Sequence, residues 1–411
     1  MFRLYPVQRL TPASCRVAVL LGFFFLSSSA MAEEQDRGAS ISGYMQTLIT
    51  VYEQAQDMEG LFQHPSGDEA ANTVSGFSLH RARIGADIDI YRGLGVDVQV
   101  RLDKPVGLLN FYMRYSVADW FTVQLGQRKI PGPWENMAAS NRLDFITRSN
   151  VSSWVADYSL SRSFHSSSHF AGNRSYLRDL GLAFTGDVDI RIGAFRYLLM
   201  VGNGLGANLF IGSTARKEFI IANAPQFFYG ARVDLLDLFG VVSVGGHATW
   251  NRHDDIVINS GRTILDLDRM SWSGDLRVTV PKTGLRLVGM LAGGTIDEDF
   301  DANGQGDLAY SGWEARALWN LSEFVRWLTP VGWLAEHRFE VGGRFDRYLS
   351  QSNQSGPRNR QDDWTLGVGY AFRDLVRVQL NYMWKNTRDP SLPELDDDVL
   401  FLCIQAGFRS D

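Results

Sequence analysis

Polar and apolar residues alternate along most of this chain in segments of roughly ten residues, the period-two pattern of strands with one apolar and one polar face. In 82–90 the even positions are all apolar (Ala82, Ile84, Ala86, Ile88, Ile90), while the odd ones carry Arg83, Gly85, Asp87 and Asp89. After Arg92 and Gly93 the alternation resumes, with Val96, Val98, Val100 and Leu102 set against Asp97, Gln99, Arg101 and Asp103. The pattern predicts strands over 41–53, 77–90, 94–103, 109–116, 120–130, 176–185, 190–201 and 226–235. It predicts eight more over 241–250, 270–280, 285–294, 309–319, 337–348, 364–372, 376–386 and 398–408. Sixteen is an even number, as closed single-chain bacterial barrels require.

The connections alternate in length. Short ones include 92–93, 117–119, 186–189, 236–240, 281–284 and 373–375; long ones include 54–76, 131–175, 202–225, 251–269, 295–308, 349–363 and 387–397. Short turns on one rim and long loops on the other describe an all-β, transmembrane, antiparallel β-barrel with periplasmic turns and extracellular loops. One connection, 320–336, is long where a short turn is due, and carries an amphipathic run with Phe324, Trp327 and Leu328.

The two faces agree with this. One carries Val, Leu, Ile, Phe and Ala in mid-strand, with aromatics such as Trp120, Trp272, Trp313, Trp319, Trp364 and Trp384 toward strand ends, as in interfacial girdles. The other carries charge at every second place, which a dry core would not tolerate and a wet lumen does. Lumen-parity basic residues include Arg81, Arg83, Arg101, Arg114, Arg128, Arg232, Arg277, Arg316, Arg344 and Arg377. Acids at the same parity include Asp87, Asp97, Asp234, Asp275, Glu314, Glu340 and Asp346, so cross-strand pairing inside the wall competes with solute contact as the role of any one arginine.

Residues 1–32 read as a secretory signal peptide: Arg3, Arg9 and Arg16, an apolar stretch over 17–26, and a cleavage site at Ala30-Met31-Ala32. Of the 411 residues, 33–411 then form the barrel, with 37 basic and 46 acidic residues and the single cysteine Cys403. That acidic balance excludes nucleic acid as a main partner. The closing stripe Leu400, Leu402, Ile404, Ala406 and Phe408 resembles the assembly signal of outer-membrane barrels, so the expected location is the Gram-negative outer membrane, in contact with its lipid and lipopolysaccharide.

The stretches FSLHRARIGADIDI, NFYMRYSVADWFTVQLGQRKIPGPWE and NRLDFITRS, over 77–149, carry a further likeness. The paired Arg81 and Arg83, the run Gly126-Gln127-Arg128-Lys129-Ile130-Pro131 and the spacing of Glu135 from Arg148 resemble the phosphate-selective porin family (porins O and P). The resemblance implies a sixteen-stranded homotrimeric channel with a third loop folded into the lumen and basic side chains along the pore. Connection 131–175 is independently a candidate constriction loop, because it runs for 45 residues without a sustained period and holds Arg142 and Arg148. The expected function is passive diffusion of small anionic solutes, since a planar guanidinium binds phosphate or carboxylate in a bidentate way. Beyond the signal peptide there are only five lysines, whereas phosphate-specific members use lysine clusters, so the expectation is anions generally. A closed barrel serving as a structural element or receptor is the alternative, and no enzyme activity is expected. No cofactor is expected beyond a possible calcium loop, where Asp299, Asp301, Asn303 and Asp307 present hard oxygens around Gly304.

Overall fold

A computed structural model describes residues 38–52, 75–103, 106–159, 177–204, 227–257, 263–300, 304–305, 308–329, 332–352, 358–373, 375–388 and 398–410. Among them, sixteen strands form one sheet. They are β1 (Ala39–Tyr52), β2 (Gly76–Tyr91), β3 (Leu94–Arg101), β4 (Gly107–Ala118), β5 (Phe121–Lys129), β6 (Arg178–Ile190), β7 (Gly193–Gly202) and β8 (Phe228–Leu238). The second half contains β9 (Val242–Val257), β10 (Thr263–Val280), β11 (Leu285–Phe300), β12 (Leu308–Asn320), β13 (His337–Ser352), β14 (Arg358–Phe372), β15 (Val376–Arg388) and β16 (Val399–Arg409). A two-residue strand, Gly304–Gln305, extends the β11–β12 hairpin. Every strand pairs antiparallel with its sequence neighbour, and β1 also pairs with β16, Gln46 opposite Gln405, so no edge is left unpaired. Full closure is what allows a sheet to cross hydrocarbon, where an unpaired backbone group costs several kcal/mol.

All sixteen expected strands are present, but those on the long-loop rim are longer than the alternation suggested. The stretch 251–269, read as a loop, is largely strand: β9 runs to Val257 and β10 starts at Thr263. Side chains alternate across the wall as expected. Leu125, Leu276, Leu291, Leu366 and Val368 face outward and stay exposed, with Trp120, Trp272, Trp364 and Trp384 nearer the strand ends. So much exposed apolar surface suits lipid contact. Connection 320–336, the exception among the short turns, holds a helix (Leu321–Leu328) and a short 3-10 turn (Gly332–Ala335).

One backbone detail shapes the wall. Gly126 in β5 has φ 136°, and a Cβ there would lie 2.2 Å from the Phe111 carbonyl oxygen and 2.7 Å from Tyr112 Cα. Gly126→Ala is therefore expected to destabilise the barrel by about 1–3 kcal/mol, read as a lower urea midpoint for the heat-modifiable folded band. An unchanged midpoint would mean the wall relaxes around the methyl.

Candidate functional site

After β5 the chain leaves the wall and turns into the lumen. It forms α1 (Trp134–Met137), a 3-10 turn (Ser140–Arg142) and α2 (Asn150–Ser159) before the described residues pause at 159. Apolar patches at lumen parity receive it. Val151 and Val155 pack against Met290, Ala292, Ile296, Tyr310 and Tyr348; Ile146 packs against Leu48, Met383, Val399, Phe401 and Cys403. Each such side chain contributes about 1.5–3 kcal/mol on full burial.

Charge fastens the same segment. Glu135 lies 3.0 Å from Arg316 and 3.8 Å from Arg344, and its Oε2 accepts from the Ser149 backbone N–H at 2.8 Å. Burial by itself would raise the Glu135 carboxyl, but Arg316, Arg344 and the Ser149 N–H outweigh it and hold it down at about 2. Asp144 pairs with Arg286 and Arg316. Arg344 donates to the Thr147 carbonyl at 2.8 Å, and Arg377 to the Leu143 carbonyl at 2.7 Å. Asn381 Oδ1 accepts from Ile146 N at 2.7 Å, and Asn150 Nδ2 donates to Asp363 at 2.6 Å. Trp134 lies under the guanidiniums of both Arg277 and Arg316. These bonds and contacts place 131–159 inside the barrel, against β10–β16 and β1.

The lumen is left asymmetric. On the side covered by the loop, buried charges satisfy one another: Arg232 reaches Asp275 at 2.8 Å, and Arg277 reaches Asp234 at 2.8 Å and Asp275 at 3.1 Å. On the other side a cavity of about 870 Å³ opens between 137–144 of the loop and the short-turn rim. Its wall holds nine basic residues (Arg83, Lys129, Arg142, Arg178, Arg286, Arg338, Arg373, Arg377, Arg409) and four carboxylates (Asp87, Asp97, Asp144, Glu340). Three of those carboxylates are already engaged, Asp87 by Arg114, Asp144 by Arg286 and Arg316, and Glu340 by Arg338 and Arg377.

A basic knot forms where the loop meets this cavity. Lys129 Nζ donates to the carbonyls of Asn136, Met137 and Ala138 at 3.0, 3.2 and 2.7 Å. Arg83 and Arg148 both donate to Ser140 Oγ, at 3.2 and 3.3 Å, and Arg148 Nε reaches the Glu135 carbonyl at 3.4 Å. Arg178 donates to Asn110 Oδ1 at 2.7 Å. Among the described residues Arg83, Lys129 and Arg142 make no ion pair, and Arg142 stands exposed in the cavity. A neutral oxygen, Ser140 Oγ, thus positions Arg83 while leaving its charge in the pore.

The sequence-selected residues divide accordingly. Arg83, Arg142 and Arg377 line the open cavity, and Arg148 joins them through Ser140. Arg114 sits near the short-turn rim, bonded to Asp87 and Asp89. Arg81 donates to Gln46 at 3.2 Å, Arg128 bonds Gln124 and lies over Tyr112, and Arg101 is buried. Arg232, Arg277, Arg316 and Arg344 point inward but lie beneath or against the loop. Sequence reasoning passed over Lys129, Arg178, Arg286, Arg338, Arg373 and Arg409 as candidates. Of the calcium candidates, Asp299 lies in β11 with its backbone opposite Gln305, while Asp301, Asn303 and Asp307, like residues 1–37, lie outside the described residues.

Comparison with known proteins gives a consistent picture. The family described as phosphate-selective porin O and P matches residues 56–186 and 290–409, more than half of the chain. No curated protein matches. Among solved structures, an anion-selective porin from Comamonas acidovorans is similar with a TM-score of 0.55 at 11% identity, covering 91% of this chain and 100% of that one. OmpT of Vibrio cholerae, in its trimer form, reaches 0.54 at 11% identity with 91% and 100% covered. The outer membrane channel DcaP of Acinetobacter baumannii reaches 0.53 at 10% identity, with 92% and 99% covered. At these identities the likeness bears on the fold.

Proposed function

The chain belongs to the phosphate-selective porin O and P family, and from that premise we propose that this porin of the Gram-negative outer membrane passes small anions, phosphate among them, by passive diffusion through an off-centre basic pore. The observation that carries the reading is the excess of nine basic residues over four carboxylates around the open cavity. Such an excess raises the local anion concentration, and many weak guanidinium contacts let a solute enter and leave where one tight site would trap it.

The roles follow from exposure. Arg142 and Arg83 meet the solute, Arg377 lies buried at the cavity wall where it holds the Leu143 carbonyl, and Arg148 sets the potential beside them. Arg81, Arg101, Arg114 and Arg128 extend that potential along the wall. Arg232, Arg277, Arg316 and Arg344 hold the constriction in place. Short turns face the periplasm and long loops face outward among lipopolysaccharide. A homotrimer is proposed on the family's pattern and on OmpT of Vibrio cholerae, which has a trimer form. We assign no catalytic role. The His247 and Ser273 side chains are 2.5 Å apart, but both face the lumen and are buried, out of reach of lipid.

In a planar bilayer under a salt gradient, the reversal potential is expected on the anion side. A cation-side potential would overturn the reading, and absence of any single-channel step would favour a structural or receptor barrel.

A further inference from the structure

The connection that broke the short-turn rule ends in an apolar surface that the wall does not cover. In the helix Leu321–Leu328, Asn320 Oδ1 accepts from Glu323 N at 3.2 Å and caps the first turn. Ser322 Oγ accepts from Phe339 N at 2.9 Å and fastens the helix to the start of β13. Leu321, Phe324, Val325 and Leu328 recur three and four apart and share one side, with Trp327 beside them. Trp327 and Leu328 are 54% and 60% exposed.

The side on which that surface lies is set by its contacts. Phe324 stands edge-on to Trp319 at 5.2 Å, and Trp327 follows Phe324 at 6.0 Å. Trp319 is an outward residue of β12, with its indole N–H on the Thr283 carbonyl of the neighbouring short turn. Farther along the same rim, outward Phe339 meets Tyr370 at 4.9 Å. The aromatic girdle of the barrel therefore continues at Trp319 onto the helix through Phe324 and Trp327. The neighbouring turn, Pro281-Lys282-Thr283-Gly284, carries no such surface.

Resting on the reading of the chain as a membrane-spanning porin, we propose that this helix is an interfacial anchor. It lies at headgroup level of the phospholipid leaflet on the short-turn side, with Trp327 and Leu328 in the acyl boundary and Glu323 and Arg326 toward headgroups and water. An amphipathic helix with Trp on its apolar side and a cation on the other is what that layer solvates best. Lipid is favoured over a second copy because the surface continues the lipid-facing belt. Eight residues are also too few for the roughly 1,000 Å² of a specific protein interface.

The test places a photoreactive benzoylphenylalanine at Trp327, at outward mid-strand Leu291 and at turn residue Lys282, one at a time. The full chain is expressed in outer membranes, with heat-modifiable gel mobility confirming a closed barrel. The expected result is a phospholipid-mass adduct at 327 with a yield comparable to 291, and none at 282. A protein-sized cross-link from 327, or no adduct there while 291 labels, overturns the anchor and leaves the barrel standing. Failure at 291 as well removes the membrane-spanning reading and the anchor with it.

Discussion

Glu135→Ala is expected to loosen the constriction loop by about 3–5 kcal/mol, the usual cost of removing one partner from a buried charge network. That is a change of about 10²- to 10³-fold or more in the docking equilibrium. The carboxylate meets Arg316 at 3.0 Å and accepts from both the backbone N–H and the hydroxyl of Ser149, so its loss leaves buried donors on wall and loop alike. Single-channel recordings are expected to show a larger and noisier open state. Glu135→Gln retains an acceptor for Ser149 and is expected to be milder. Arg316 keeps Glu314 and Asp144 as partners in that variant, so adding Arg316→Met to Glu135→Gln strands two buried carboxylates and is expected to deepen the loss. A quiet, unaltered conductance in Glu135→Ala would show that the apolar contacts of Val151, Val155 and Ile146 hold the loop by themselves.

Acid gives an independent check on the same tether. The folded-state carboxyl sits at about 2, below the ordinary glutamate value of about 4.3. Its contribution is therefore complete above the ordinary value and is lost as pH falls through about 2. The wild-type step size is expected to hold down to roughly pH 4 and to rise only below that. A rise already near neutral pH would place the tether elsewhere.

The barrel was legible because its period is enforced sixteen times: a strand slipped by one residue would put arginines such as Arg344 in lipid and leucines such as Leu291 in water. The loop's docking was harder to read. Its receiving surface consists of apolar residues at lumen parity, among them Leu48, Met290, Ala292, Met383 and Phe401, set far apart in the chain. They violate the polar-inside rule, and that violation was the available signal. Lys129 and Arg178 escaped for a different reason. They form the last register pair of β5 and β6, where the chain turns into the lumen and no further rung enforces alternation. Which arginines stay open to solute depends on which carboxylates the loop brings with it, and Glu135 and Asp144 reach Arg316 only through the fold.

Replacing Arg83, Arg142 and Arg409 together by Glu is expected to turn the pore from anion to cation preference. The three substitutions change a wall of nine basic residues and four carboxylates into one of six and seven. They are the right three because, among the described residues, none holds an ion pair, so no buried carboxylate is stranded and the barrel keeps its shape. Arg83→Glu forfeits the bond to Ser140 Oγ, which Arg148 still occupies, and the contact of its guanidinium with the Tyr44 ring. Arg142→Glu alone, exposed and the one of the three that faces the cavity from the loop itself, is expected to give the largest single step, because charge on a wall of the cleft focuses the field on the passing ion. The reversal potential in a salt gradient is expected to move toward zero with each substitution and to change sign with the third. The shift should shrink at high salt, where the screening length falls to about 3 Å. Charges buried on the loop side provide the contrast: Arg232→Met removes one unit of charge, half of what Arg142→Glu changes and as much as Arg142→Met, yet unlike Arg142→Met it should leave the reversal potential nearly unmoved while lowering stability. If Arg232→Met shifts selectivity as far as Arg142→Glu, the anions are not confined to the open side, and the off-centre pore is wrong.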